Sequence, residues 1–179
     1  MVKKAIAFAT KAHEGQFRKG TTRPYIVHPL EVGEIVATMT DDEEIISAAI
    51  LHDTVEDCEG VTVELIESEF SARVADLVAQ ESEDKSKTWE ERKGATIERM
   101  KTASRDVKTI GLGDKLSNIR GINNDYQEVG EEVWNRFSRK DKNKIGWYYK
   151  GLRESFASEF EGEPAYIEYS KLVEKVFGK

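Results

Sequence analysis

The sequence predicts an all-α fold, a single-domain helical bundle, on three observations. Helix-start signals recur along the chain. No stretch sustains the period-two alternation of a half-buried strand. Only three prolines and no Gly/Ser-rich linker interrupt the 179 residues. A chain of this length can bury one independent core, which sets the expectation of one domain over 1–179.

Residues 3–14 read as a first helix ended by Gly15, and 16–28 as a structured loop. Pro29 suits the first position of the next helix, which leaves His28 just outside it, at a helix mouth. Thr40 with Glu43 forms a capping box ahead of a helix running through residues 43–57. Thr62 caps another helix, with Val61 and Ile66 spaced as a hydrophobic staple. Thr88 and Glu91 make a second capping box for a helix to about Ala103, and Ser104 caps one through Ile119. Residues 126–179 read as further helices packing on the rest, with breaks near 138–142 and at Gly162–Pro164.

Composition narrows the function. Hydrophobic residues at 39% and charged residues at 34% describe a water-soluble globular chain. No apolar run approaches the roughly 20 residues of a membrane-spanning helix. The opening MVKKAIAFATKAHEG is broken by Thr10 and Lys11 and lacks a small-residue cleavage site, so it reads as an amphipathic helix and cytoplasmic residence is expected. A net charge of −7 with no basic block disfavours extended nucleic-acid contact. A small anionic ligand stays compatible, because a bound cation and a few basic side chains create a local positive field. The lone Cys58 has no disulfide or CxxC partner.

Two helices carry polar residues where core is expected. Asp53 lies seven after Ile46, His52 seven after Ile45, Glu56 seven after Ala49 and Asp57 seven after Ile50. The apolar face therefore runs into an imidazole and three carboxylates, a costly arrangement unless they are paired or hold a cation. The helix through Val107, Ile110, Leu112, Leu116 and Ile119 is apolar over much of its circumference, yet carries Asp114 and Asn118 four apart. Gly111 and Gly113 weaken it by roughly 1 kcal/mol each relative to alanine, which points to a close approach by a helix or ligand. Solvation or an ordinary salt bridge would explain any one of these residues; the two helices together favour a metal.

His28, then His52-Asp53, then a distant Asp114 resembles the H…HD…D pattern of the HD-domain metal phosphohydrolases. AHEGQFRKG, RPYIVHP, AAILHDTVED and DKLSNI look like the hydrolase module of the RelA/SpoT alarmone enzymes and their small stand-alone relatives, over roughly residues 5–122. The resemblance implies an HD-type helical fold and a divalent metal, usually manganese, on His28, His52, Asp53 and Asp114. It implies Glu56 and Asp57 at the attacking water, Arg18 and Lys19 in the basic loop that contacts the nucleotide, and Asn118 facing the nucleoside. The activity it implies is removal of the 3′-pyrophosphate from (p)ppGpp, with a small nucleotide as partner and no synthetase module. Two histidines and two carboxylates suit several first-row ions, so the residues alone do not select manganese. RKGTTRPY where the family commonly reads RKSGEPY, and LGDKL for LADRL, leave open another nucleotide or phosphoester. A non-catalytic nucleotide-binding domain is the third alternative.

Three features are expected to be structural. His13 reads as a partly exposed helix residue, with support of the site as the alternative. Trp89, Trp134, Trp147, Tyr148 and Tyr149 read as packing residues, with stacking on a base as the alternative, and Glu81–Lys87 as a solvated loop of a kind that lies near the cleft in the family the chain resembles.

Overall fold

A computed structural model describes residues 1–81 and 83–178. Ser82, in the expected surface loop, and Lys179, at the end of the expected C-terminal helices, lie outside the described residues. The helices are α1 (Val2–Ala12), α2 (Val27–Ala37), α3 (Glu43–Leu51), the single turn α4 (Thr54–Asp57), α5 (Val63–Glu69) and α6 (Ala72–Ala79). There follow α7 (Trp89–Thr102), α8 (Arg105–Val129), a 3-10 segment (Gly130–Arg136), α9 (Lys142–Phe160) and α10 (Pro164–Phe177). Among the described residues the one β feature is an isolated antiparallel bridge between Phe17 and Pro24. The all-α expectation holds.

Local chemistry sets most of the boundaries. Thr88 and Glu91 close a full capping box at α7, and the Thr62, Ser71 and Ser104 hydroxyls accept from the main-chain N–H three residues on. Pro164 opens α10 at its first turn, where a missing N–H costs nothing.

Four expectations are corrected. The cap of α3 is Asp42, whose carboxylate accepts from the Glu44 N–H at 2.9 Å; Thr40 instead accepts from the Asp42 N–H at 3.2 Å. The helix expected over 43–57 stops at Leu51, turns at His52-Asp53, and resumes as α4. Pro29 is the third residue of α2, so His28 lies inside the first turn, its N–H bonded to the Tyr25 carbonyl at 3.0 Å; a proline in a first turn breaks no internal bond. And α8 runs ten residues past Ile119, to Val129.

Helix α8 is the axis. It packs against α2, α3, α7, α9, α10 and the 3-10 segment, and α3 packs in turn on α1, α2 and α6. Two glycines allow the tightest crossings. A Cβ on Gly33 would stand 2.5 Å from Ile50 Cγ1 of α3, and one on Gly113 would stand 2.7 Å from Val36 Cγ2 of α2. The close approach suggested by Gly113 is therefore α2 itself. Contiguous apolar packing extends from Ala5 to Val176, with Tyr169, Phe156 and Phe160 its largest sealed side chains. Trp134 is buried as expected, but Trp147 is 44% exposed. No helix of the described residues is long and apolar enough to cross a membrane.

Candidate metal centre

The glycine-tight crossing of α2, α3 and α8 brings three separated stretches to one point. His28 comes from the first turn of α2, His52 and Asp53 from the turn that ends α3, and Asp114 from the middle of α8. The Nε2 atom of His28 faces Asp114 Oδ1 at 3.2 Å and Asp53 Oδ2 at 3.6 Å. The Nε2 atom of His52 faces Asp53 Oδ2 at 3.0 Å and Asp114 Oδ1 at 3.6 Å. One donor atom each from His28, His52 and Asp114 lies within 4.8 Å of the others. Donors about 2.0–2.3 Å from a shared ion stand about 3–4 Å apart when adjacent, which these spacings match.

The hydrogen bonds behind the rings fix which nitrogen faces inward. The Nδ1 atom of His52 sits 2.7 Å from the Ala49 carbonyl, which only accepts, so Nδ1 carries the proton. The Nδ1 atom of His28 sits 2.8 Å from Ser117 Oγ, whose own proton goes to Glu31 Oε2 at 2.7 Å. Both Nε2 atoms are thereby left with a lone pair toward the carboxylates. With its proton on Nδ1, His52 has no hydrogen on Nε2 to offer Asp53 Oδ2 3.0 Å away, and that buried nitrogen is left without a hydrogen-bond partner. Such an orphan between two carboxylates fits a cation.

Without an ion, the electrostatics are under tension. Burial lowers the pKa of His28, against the pull of Asp114. At His52 burial also opposes protonation, but Asp53 and Asp114 outweigh it and raise the pKa well above 6.5. Asp53, despite burial, is held below the usual carboxylate range by His52 and His28. Asp114 is likewise held well below it by Lys115, His28 and His52. The chemistry of two histidines and two aspartates suits a divalent first-row ion.

The remaining candidates ring a cavity of about 480 Å³. Glu56 and Asp57 line it from α4, Glu56 being 3.4 Å from Lys85 Nζ. Burial, then Asp53 and Glu56, raise the pKa of Asp57. Arg18 lies over the Tyr25 ring, 5.5 Å from its centroid, and donates to Asn118 Oδ1 at 2.9 Å. Asn118 in turn donates to Asp114 Oδ1 at 2.6 Å. Lys19 also lines the cavity. All nine residues singled out in the sequence thus border one space.

Four residues outside those nine adjoin the centre. Tyr25 donates to Asp53, Ser117 and Glu31 hold His28, and Lys115 Nζ lies 2.5 Å from Asp114 Oδ2. Two expectations fail here. His13 is buried, beside the Tyr25 ring and bonded to Gln16. The stretch after α6 is not wholly solvated either: Glu81 and Glu83 line the cavity, Glu83 pairing with Lys93 at 2.7 Å and Arg92 at 3.1 Å.

An all-helical domain that gathers His28, His52 and Asp114 at one point, with Asp53 beside both imidazoles, defines a class, the helical divalent-metal domains. The chain belongs to the HD domain family, whose model matches residues 5–141. It is 41% identical over 123 residues to guanosine-3′,5′-bis(diphosphate) 3′-pyrophosphohydrolase MESH1 of Danio rerio, covering 66% of this chain and 67% of that protein. It is 36% identical over 127 residues to the enzyme of that activity in Vibrio cholerae, covering 68% of this chain but 18% of that longer protein. Among solved structures, a metazoan ortholog of SpoT described as hydrolysing ppGpp superposes with a TM-score of 0.82 at 26% identity, over 99% of this chain and 96% of that one. The lmo0812 protein of Listeria monocytogenes superposes with a TM-score of 0.77 at 35% identity, over 85% and 99%.

Proposed function

We propose that this protein is a manganese-dependent hydrolase that removes the 3′-pyrophosphate from (p)ppGpp, acting in the cytoplasm as one domain over 1–179. The observation that carries the reading is the convergence of His28, His52, Asp53 and Asp114 at spacings of 3.0–3.6 Å, with both imidazole Nδ1 atoms engaged elsewhere. These four residues would hold the ion. A divalent ion bound there supplies Lewis acidity and lowers the pKa of water.

The other residues supply position and proton transfer. Asp57, with its raised pKa, accepts a proton from the attacking water, and Glu56 orients that water from the same turn. The water oxygen forms a new bond to phosphorus while the bond from phosphorus to the ribose 3′ oxygen breaks. That oxygen takes a proton from solvent and leaves as the ribose 3′ hydroxyl, Asp57 returns its proton to solvent, and the products are pyrophosphate and GDP or GTP. Arg18 and Lys19 offset phosphate charge at the mouth, and Asn118 meets the nucleoside. The relatives named for this activity support the choice of substrate.

The test is turnover of guanosine tetraphosphate by purified protein with added manganese, run beside a panel of other nucleotides. Asp53→Ala is expected to abolish turnover and Glu56→Ala to lower it by about 10²–10⁴-fold. No turnover by folded, manganese-loaded protein would sink the reading, and preference for a simple 5′-monophosphate would replace its substrate.

A further inference from the structure

The two imidazoles are oriented by different means. His52 relies on a main-chain carbonyl, which no side-chain change removes. His28 relies on a chain of side chains from two helices. On α2, His28 and Glu31 are three residues apart and project on one face; on α8, Ser117 and Arg120 do the same. Where the helices cross, the pairs interleave. His28 Nδ1 meets Ser117 Oγ at 2.8 Å, Ser117 Oγ donates to Glu31 Oε2 at 2.7 Å, and Arg120 donates to Glu31 Oε1 at 3.0 Å. Arg120 is itself gripped by both carboxylate oxygens of Glu168 on α10, each at 2.7 Å.

The direction of each proton follows. A carboxylate accepts only and a guanidinium donates only, so the single hydroxyl proton of Ser117 goes to Glu31. A lone pair of Ser117 Oγ then remains for His28, which must offer Nδ1–H. Reversing the ring tautomer would set two lone pairs against each other inside a site where His28 and Ser117 are each 3% exposed. Glu31, charged and bonded through the hydroxyl, also increases the basicity of the imidazole at its far nitrogen.

We infer that Ser117 and Glu31 are positioning residues that lock His28 in the Nδ1–H form and aim Nε2 at the ion, with Arg120 and Glu168 holding Glu31 in place. The inference rests on the metal reading above. It assigns them no contact with substrate, and a loss of metal affinity, not of chemistry at saturating metal, is their mark.

The experiment compares wild type, Ser117→Ala and Glu31→Gln. Manganese affinity is read by titration calorimetry, turnover over a manganese series, and the His28 tautomer from nitrogen-15 shifts of the metal-free protein. Ser117→Ala is expected to weaken manganese binding by about 10–100-fold, with turnover restored by excess manganese and mixed tautomers at His28. Glu31→Gln should weaken binding less, since an amide oxygen still accepts the hydroxyl proton. Its side chain is 32% exposed, so the change is expected to disturb packing less than the buried alanine variant. Wild-type affinity with an unmixed Nδ1–H tautomer in folded Ser117→Ala, or wild-type affinity in Glu31→Gln, would overturn this inference alone. A wild type that binds no divalent ion would overturn the metal reading and this inference with it.

Discussion

Tyr25 Oη donates a 2.5 Å hydrogen bond to Asp53 Oδ2, the same oxygen that faces His52 Nε2 at 3.0 Å. Burial first, then Asp53 and Asp57, raise the phenol pKa, so Tyr25 stays a neutral donor throughout the working range. One lone pair of Oδ2 is occupied and the other is left for an ion, which fixes the rotation of a carboxylate that is 23% exposed. Tyr25→Phe is expected to weaken manganese binding about tenfold and to cost about 1 kcal/mol of stability. Calorimetry with a parallel thermal melt checks both, and unchanged affinity would contradict the orienting role.

In the proposed reaction Asp57 sets the acid limit. Burial is the largest cause of its raised pKa, reinforced by Asp53 and Glu56 and opposed by Lys85 and His13. A general base works only when deprotonated, so the rate falls as pH drops through the raised value. The acid limb of a kcat–pH profile is therefore expected above the ordinary aspartate range. Lys85→Ala removes a cation that lowers the pKa and should move the limb to higher pH. Asp57→Asn should lower kcat by about 10²–10⁴-fold and erase the limb. A limb that ignores both changes would remove Asp57 from the proton path.

Much of this was legible because it is local. The caps at Thr62, Thr88 and Ser104 need only the next three residues, and the sequence shows them. His52, Asp53 and Asp114 stood out as polar residues on apolar faces, although convergence with His28 was readable only through the family pattern. The stop at Leu51 was not legible, since no glycine or proline marks it. Tyr25 to Asp53 and Ser117 to Glu31 depend on how distant segments cross, which no local period encodes. Glu81 and Glu83 looked solvated in a charged run; the lysine and arginine that draw Glu83 inward lie ten and nine residues ahead, on α7.

Gly113 tests whether the helix crossing sets the site. A Cβ there would lie 2.7 Å from Val36 Cγ2 and 3.4 Å from the Val32 carbonyl oxygen, so the β-branched Val36 side chain must give and pushes on α2. Gly113→Ala gains about 1 kcal/mol in helix propensity but incurs about 1–3 kcal/mol of overpacking. It also separates His28 on α2 from Asp114 on α8, now 3.2 Å apart. Lower thermal stability together with a raised manganese requirement is expected. Gly94→Ala is the control, because its Cβ meets only Trp147 at 3.8 Å; it should stabilise by about 0.4–1 kcal/mol and leave the metal requirement alone. If Gly113→Ala behaves like the control, the crossing does not govern the site.

Glu81 ties stability to pH. Its Oε1 is sealed from solvent without a hydrogen-bond partner. Burial first, then Asp114, push its pKa up from 4.5 to about 7, against Lys115, His52 and Arg99. Below the unfolded value both states hold the proton and no penalty exists. Between 4.5 and about 7 the folded state holds it more tightly, so stability falls as pH rises, and above that range the full cost of a buried charge remains. Glu81→Gln is neutral at every pH. With manganese removed by a chelator, so that no ion offsets the charge, it should stabilise the fold by about 1–3 kcal/mol at pH 8, or roughly 2–4 °C in Tm per kcal/mol. The gain should vanish near pH 4, and melts at the two pH values decide. An equal effect at both would mean that Glu81 acts through packing and not through its charge.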